Sequence, residues 1–558
     1  MALRLITGRS GQGKTEYLVQ EVIRLSMENP QQKYYVIVPE QFSLEMQRKM
    51  VKKHPRHGFF NIDVLSFHRL AYRIFDECGY QPGEILEDLG VSMMLRKILS
   101  EGENNFLYFK KSMKKAGFID ELKSMLMEFI GYGVTWEQVE EVSEKLGENK
   151  ALSNKCKELG RIYEHFDKAI EGRFMVTEQI LDVAREFAKE APMLTNAVFY
   201  FDGFAGFTPV QLAFLKELLK VAGQINVTIT IPEFVPGQRG MPEDLFTSSK
   251  KTGDALLMLC QENMQEVEEV VKLDTPVSPR FINNPELAFL EKNLFQNSRK
   301  IYSKKIERIH MTVCHNPDGE ADYVMHKIEQ LVRQKGYRYR DFAVLSGDVA
   351  DYASAFKRKA AILNIPVFED TKKKVSYHSG VEAVRSLFHL AQMEYSYESV
   401  FRYLKSGMSN LIDEDADYLE NYVLYAGVRG YSMWKKPFYR RLKNKDEAAI
   451  KALLLLQEKF MEETENFCSV MRDKEASVRD KIEVLYHTMV KLSFEEKLKN
   501  QAQKAEENSD FVKAAEYRQL YDLLLSLMDK IVMIFGEEKI RPIGTIACYL
   551  LLIAAFGW

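Results

Sequence analysis

The spacing of apolar residues changes several times along the chain, and the changes divide it into segments. Leu3 to Thr7 alternates as a strand does, stops at Gly8, and gives way to a helical pattern from Gly13. Tyr34 to Val38 is a continuous apolar run closed by Pro39, the pattern of a strand covered on both faces. A helical period follows from Phe42, a short strand pattern from Ile62 to Leu65, and another helical period from Phe67 to Phe75. Strands alternating with helices in this way predict a parallel sheet covered by helices. Residues 81–192 are rich in Glu, Lys, Leu and Met at helical spacing and contain no convincing strand. The sheet pattern then resumes with a strand at Ala197–Phe201, a helix opened by Pro209 at the position proline favours, and a strand at Ile225–Ile231 closed by Pro232.

This pattern predicts one α/β domain from residues 1–80 and 193–275, interrupted by a helical insertion at 81–192. Residues 276–300 read as a loose linker. A second α/β pattern occupies 301–378, with strands expected at His310–Cys314, Phe342–Ser346 and Pro366–Phe368 and helices at Glu320–Lys335 and Tyr352–Leu363. Residues 379–540 are nearly all helical in pattern. The tail, 541–558, breaks character: Thr545 to Trp558 carries no charge after an amphipathic, charged stretch. Such a break is expected of a shifted reading frame or a truncated gene product, and also of a genuine apolar last helix.

Composition narrows the function classes. The chain has 558 residues, 46% hydrophobic and 28% charged, the mix of a folded multidomain protein and not of a disordered one. A net charge of -3 excludes a uniformly basic nucleic-acid binder, so any DNA contact has to be a local groove. The six cysteines, Cys78, Cys156, Cys260, Cys314, Cys468 and Cys548, show no metal-binding spacing, and reduced thiols in the cytoplasm are expected. No signal peptide is visible, and the apolar run at the C-terminus is shorter than the ~18 residues that read as a membrane span.

The candidate chemistry begins at the first strand's end. Gly8-Arg9-Ser10-Gly11-Gln12-Gly13-Lys14-Thr15 matches G-x-x-x-x-G-K-[ST] between a strand and a helix, the context of a phosphate loop. Its glycines let successive N–H groups turn inward on an anion, the helix N-terminus adds positive field, Lys14 can reach the β- and γ-phosphates, and Thr15 can hold Mg²⁺. Asp202, following the strand at 197–201, fits the second Mg²⁺-associated position. The frame from Asp202 to Gln211 resembles the superfamily-1 helicase pattern D-E-x-Q-D-x-x-P-x-Q, with Pro209 and Gln211 kept. The glutamate that prepares the attacking water has become Gly203, and the middle Gln and second Asp have become Ala205 and Gly206. Leu65-Ser66-Phe67-His68-Arg69-Leu70-Ala71 is similar to the T-F-H-x-L element by which that superfamily touches single-stranded DNA. Phe67 and Tyr72 could stack on bases, and Arg69 could meet phosphate or a base edge.

Val38-Pro39-Glu40-Gln41, Ser66–Ala71, Asp202–Pro209 and Gly336–Leu345 together resemble the AddB family of bacterial helicase–nuclease subunits, over about residues 1–540. The resemblance implies two RecA-like P-loop domains with large helical insertions and a role in processing double-strand DNA ends for recombinational repair. It implies ATP and Mg²⁺ as cofactors, a heterodimeric partner resembling AddA, and single-stranded and duplex DNA ends as substrates, with no membrane. It also implies strand-reading positions at Gln41, Ser43, Phe67, Arg69 and Tyr72. The family's nuclease domain and iron–sulfur cluster are expected beyond the end of this chain. With Gly203 at the general-base position, no residue is assigned a catalytic role, and ATP is expected to bind with little or no hydrolysis. The alternatives are an active translocating ATPase stimulated by single-stranded DNA, and a P-loop kinase or nucleotide switch with the helical insertion as its lid.

Overall fold

A computed structural model describes residues 2–102, 106–113, 115, 117–146, 150–238, 244–294, 300–368, 378–438 and 447–539. The chain forms two compact units, residues 1–315 and 316–558.

The first unit is built on a parallel sheet. Strands β1 (Ala2–Gly8), β2 (Tyr34–Ile37) and β3 (Ile62–Leu65) alternate with helices α1 (Lys14–Glu28), α2 (Ser43–Lys53) and α3 (Phe67–Cys78). An excursion follows through β4 (Glu84–Leu86), α4 (Asp88–Glu101), α5 (Phe118–Gly131), α6 (Trp136–Lys145), α7 (Lys150–Ile170), β5 (Phe174–Val176) and α8 (Ile180–Glu186). The sheet is completed by β6 (Val198–Phe201), α9 (Pro209–Leu218), β7 (Gln224–Thr230), α10 (Thr247–Glu262) and the short strands β8 (Glu266–Val267) and β9 (Val271–Lys272). Strand order is β3-β2-β6-β7-β1-β8, with β9 also on β1, and every pairing in this sheet is parallel. The continuous apolar run of β2 is buried throughout, as a strand covered on both faces requires. Alternate residues feed two cores. Leu3, Leu5, Tyr35, Ile37, Phe199 and Phe201 enter one, and Tyr34, Val36, Val38 and Tyr200 enter the other beside α1 and α2.

Local chemistry explains the helix starts. In α3 the buried residues Phe67, Leu70, Ala71, Ile74 and Phe75 recur at helical spacing, the Ser66 side chain accepts from the Arg69 N–H, and Gly79 closes the helix at φ 66°. At α9, Thr208 Oγ1 accepts from Gln211 N at 3.3 Å while Gln211 Oε1 accepts from Thr208 N at 3.0 Å, with Pro209 in the first turn. Replacing Thr208 with Ala should therefore lower the first unit's stability by about 1 kcal/mol, read from its urea transition.

The excursion differs from the all-helical insertion expected over 81–192. β4 and β5 pair in parallel as a separate two-stranded sheet, Glu84 with Phe174 through Leu86 with Val176. Three-residue strands lie at the short limit of strand length, too short to set up a readable alternation. From β5 onward, Met175, Ile180, Leu181, Ala184 and Leu194 already pack in the core of the main sheet.

In the second unit, α12 (Pro317–Lys335) and α13 (Val349–Ile362) pack through Met325, Ile328, Ala360 and Ile365, following α11 (Pro285–Asn293) of the first unit in the chain. Helices α14 (Ser379–Gln392), α15 (Tyr397–Leu404), α16 (Asp413–Ala426), α17 (Tyr431–Trp434), α18 (Glu447–Arg472), α19 (Val478–Lys491), α20 (Phe494–Glu507) and α21 (Phe511–Phe535) follow, as the pattern over 379–540 predicts. The three strands expected around α12 and α13 are not formed: His310–Cys314, Phe342–Ser346 and Pro366–Phe368 pair with nothing among the described residues. Met311, Val313, Leu345 and Phe368 stand almost fully exposed. β-forming side chains give a strand only when a neighbour supplies the hydrogen-bond ladder and a covered face, and these segments have neither. The expected second RecA-like sheet is therefore absent from the described residues. No helix among them is long and apolar enough to cross a membrane, and the tail at 541–558 lies outside them.

Candidate nucleotide site and a neighbouring cavity

The phosphate loop leaves β1 in the middle of the sheet, between β7 and the short strands β8 and β9, and runs into α1. Gly11 and Gly13 take φ 76° and 90°, conformations that side chains rarely adopt, and Gly13 caps α1. Lys14 Nζ donates to the carbonyl oxygens of Gly8 at 2.8 Å and Arg9 at 3.0 Å. Burial pushes the Lys14 ammonium down to about 8; Arg280 adds repulsion, and Asp202 and Glu291 partly offset both. Asp202, buried at the end of β6, is held through both oxygens: Thr15 Oγ1 donates to one at 2.7 Å and Thr228 Oγ1 to the other at 2.7 Å. Thr15 and Asp202 thus form an oxygen pair beneath the loop, a donor set suited to a hard cation such as Mg²⁺. A cavity of about 780 Å³ opens over Lys14, Thr15 and Asp202.

Gly203, in place of the helicase glutamate, sits at φ 81°. A Cβ there would approach Pro39 Cδ at 3.5 Å, so space is adequate and the backbone conformation is the obstacle to a side chain. The other carboxylates facing the cavity are engaged elsewhere. Glu16 is bound by Lys49 and Lys53, and Glu291 lies 3.9 Å from Arg9.

Of the stretch expected to be a loose linker, 276–300, the described residues 276–294 include several that lie against the phosphate loop. A 3₁₀ turn at Pro279–Phe281 and helix α11 are formed within it. Just ahead of it, the Thr275 hydroxyl donates to Gln12 Oε1 at 2.6 Å and the Gln12 carboxamide donates to Thr275 O at 3.1 Å. Gly8 and Gly11 have no room for a Cβ, which would meet Leu273 O at 2.8 Å and Ser278 Oγ at 2.6 Å respectively. Arg280 reaches the rim of the cavity, with Nη1 donating to Ser10 Oγ at 3.4 Å. Arg280 and Glu291 escaped the sequence reading because no local pattern ties them to Ser10, 270 positions from Arg280, or to Arg9. The signal available was two cap-and-proline pairs, Ser278-Pro279 and Asn284-Pro285, each of which opens a helical turn in the structure. Replacing Arg280 with Ala should weaken the binding of a phosphate-bearing ligand in this cavity about tenfold, the loss of one charge-assisted contact, as measured by titration calorimetry.

The residues singled out for strand contact divide. Arg69 is exposed, with Nε 3.7 Å from Glu40. Tyr72 is half-buried against Phe75, and burial raises its phenol. Arg69 and Tyr72 line one cavity of about 560 Å³ together with Gln47, Asp63, Arg73 and Asp76. Gln41 is exposed in the turn before α2, outside that lining. Ser43 is buried and donates to Glu40 O at 2.7 Å. Phe67 is 5% exposed and packed among Phe201, Phe204, Phe207 and Phe214, so its ring has no free face for a base. Among the described residues no group of three or more His, Cys, Asp or Glu could hold a metal, which leaves no fit for an iron–sulfur cluster there.

A family model described as "ADDB, N-terminal" matches residues 5–291. The chain is 32% identical over 544 residues to an ATP-dependent helicase/deoxyribonuclease subunit, the B-type one, of Lachnoclostridium phytofermentans, covering 96% of this chain and 47% of that protein. The protein of the same description from Thermoanaerobacter sp. strain X514 is 32% identical over 549 residues (97% and 47%). That from Clostridium botulinum strain Hall is 30% identical over 552 residues (97% and 48%). The chain spans about half the length of these relatives.

Proposed function

Because the chain belongs to the AddB family through its N-terminal part, we propose that it is the ATP-binding, strand-reading half of a helicase–nuclease subunit whose own motor is degenerate. The observation that carries this reading is the pairing of an intact phosphate loop, Lys14 and Thr15 with Asp202 bound to Thr15, against Gly203 in a left-handed conformation beside it. Loop amides and Lys14 would hold the phosphates, and Thr15 and Asp202 would hold Mg²⁺, which neutralises phosphate charge when bound. Hydrolysis needs a group to orient or deprotonate water, and the residue after Asp202 offers none. Arg69 and Tyr72 contact single-stranded DNA, Gln41 borders that contact, and Phe67 and Ser43 support it from within. The complete assembly works in the cytoplasm with an AddA-like subunit on duplex DNA ends, and the active motor is the partner's.

Titrating the full chain with a fluorescent ATP analogue and a labelled dT oligonucleotide, alongside a phosphate-release assay, tests the reading. Both ligands should bind, with negligible release in the presence or absence of DNA. Release stimulated by single-stranded DNA and abolished by Lys14→Ala would overturn the degenerate motor in favour of a translocating ATPase. Phosphoryl transfer to a small acceptor with no DNA binding would overturn the strand-reading role.

A further inference from the structure

The loop between α2 and β3 has an unusual combination of rigidity, charge and exposure. Its start is held by His54, which is buried, packs its ring edge-on to Phe59 at 6.1 Å, and accepts from Arg56 N at 3.2 Å through Nδ1. A turn is closed by His57 N donating to His54 O at 2.9 Å. Its end is held by Asn61, whose side chain donates to Ser26 O and Gln32 O, each at 3.1 Å. Phe59 packs partly into the core beside α1 and α2. The next residue must then point outward, and Phe60 is fully exposed. A lone exposed ring is common on protein surfaces; what distinguishes Phe60 is the charge of the segment that carries it.

The charge around it selects the partner. From Ser43 to Asn61 the chain carries five Lys or Arg residues and a single acid, Glu45. Lys49 and Lys53 are occupied by Glu16. Arg48, Lys52 and Arg56 form no ion pair among the described residues. In a chain of net charge -3, this segment is locally basic and carries an exposed ring, the pairing that binds a nucleic-acid strand through phosphates and stacked bases. The segment is continuous with the neighbouring face, because Val51 and Phe59 line the same cavity as Arg69 and Tyr72.

We propose that this loop is a second contact for single-stranded DNA, with Phe60 stacking on a base and Lys52 and Arg56 holding flanking phosphates, so that the strand continues past the Arg69 and Tyr72 cavity. The proposal rests on the strand-reading role given above.

The full chain is titrated with fluorescein-labelled dT oligonucleotides of about 5 and about 15 nucleotides, lengths below and near the upper site size of one single-strand-binding module. Several salt concentrations are used, comparing wild type, Phe60→Ala, the double variant Lys52→Glu/Arg56→Glu, and Arg69→Ala. Phe60 is fully exposed, so its removal should leave thermal melting unchanged. Loss of one stacked base should weaken binding of the longer oligonucleotide about tenfold. The double variant should reduce the log–log salt slope by roughly 1.4, about 0.7 for each lost phosphate contact. A strand held at both contacts should lose affinity to both Arg69→Ala and Phe60→Ala. If Phe60→Ala and the double variant bind the longer oligonucleotide like wild type while Arg69→Ala is weakened, strand reading stands and the loop contact is overturned. If wild type binds neither oligonucleotide, the strand-reading role itself fails and the loop contact falls with it.

Discussion

Replacing Lys14 with Ala should abolish measurable ATP binding, a loss of roughly a hundredfold, while the first unit stays folded. The magnitude follows from removing charge-assisted hydrogen bonds to two phosphate groups in a half-buried site, each worth about 1.5–3 kcal/mol, partly compensated by water. The fold should survive because burial already disfavours the ammonium there; its contacts are two loop carbonyls that solvent can serve instead. The same environment gives the site a pH signature. In the nucleotide-free protein Lys14 loses its proton around pH 8, chiefly through burial and additionally through Arg280. Bound phosphates favour the charged form, so binding above about pH 8 requires proton uptake and binding at about pH 7 does not. ATP affinity should be level below about pH 7 and fall towards about tenfold per pH unit above about 8. Calorimetry at about pH 9 in buffers of different ionisation enthalpy should register up to about one proton taken up per ATP bound. An affinity level from about pH 7 to about pH 9 would show that Lys14 does not meet the phosphates.

Phe67→Ala should destabilise the first unit by about 3–5 kcal/mol, the cost of a cavity left by a buried phenylalanine. The ring lies 5.4–6.2 Å, centroid to centroid, from Phe201, Phe204, Phe207 and Phe214, and these belong to the strand, turn and helix around Asp202. Its removal should thus loosen the Asp202 carboxylate as well as the sheet, and any loss of DNA binding would follow from unfolding. Phe67→Leu separates the two roles. A core role predicts a cost of about 1.5 kcal/mol with DNA affinity retained. A stacking role predicts lost affinity with little change in the urea transition. Arg69→Ala should show the reverse of Phe67→Ala, with weakened binding and a nearly unchanged transition.

How much could be read in advance depended on how local each determinant is. The phosphate loop is eight consecutive residues whose geometry is dictated by their own glycines, and it folds as its sequence implies. Asp202 was placed by the strand before it and the capped helix after it. The helical second half is legible because a helix satisfies its backbone within its own segment. A strand does not. His310–Cys314 has the composition of one and lacks a neighbour, whereas β4 and β5 find each other across the whole helical excursion on three residues each. The covering of the phosphate loop by Leu273 to Arg280 was invisible for the same reason, since Thr275 meets Gln12 across 263 residues. Phe67 shows a further limit. A motif gives position along a helix, and only the packed structure says which face of that helix is turned inward.

The pairing of β4 with β5 has an evolutionary consequence. The helices α4 to α7 leave and return through one short parallel ladder, so the sheet senses them as a closed loop with fixed ends. Lengthening such a loop costs little, about 0.6 kcal/mol for each doubling in the flexible limit. Residues 87–173 can therefore be exchanged, extended or re-faced over generations while the nucleotide site beside them is inherited unchanged. Novelty in this architecture is expected to accumulate in that stretch, at a position where the phosphate-loop core does not have to be rebuilt to accommodate it.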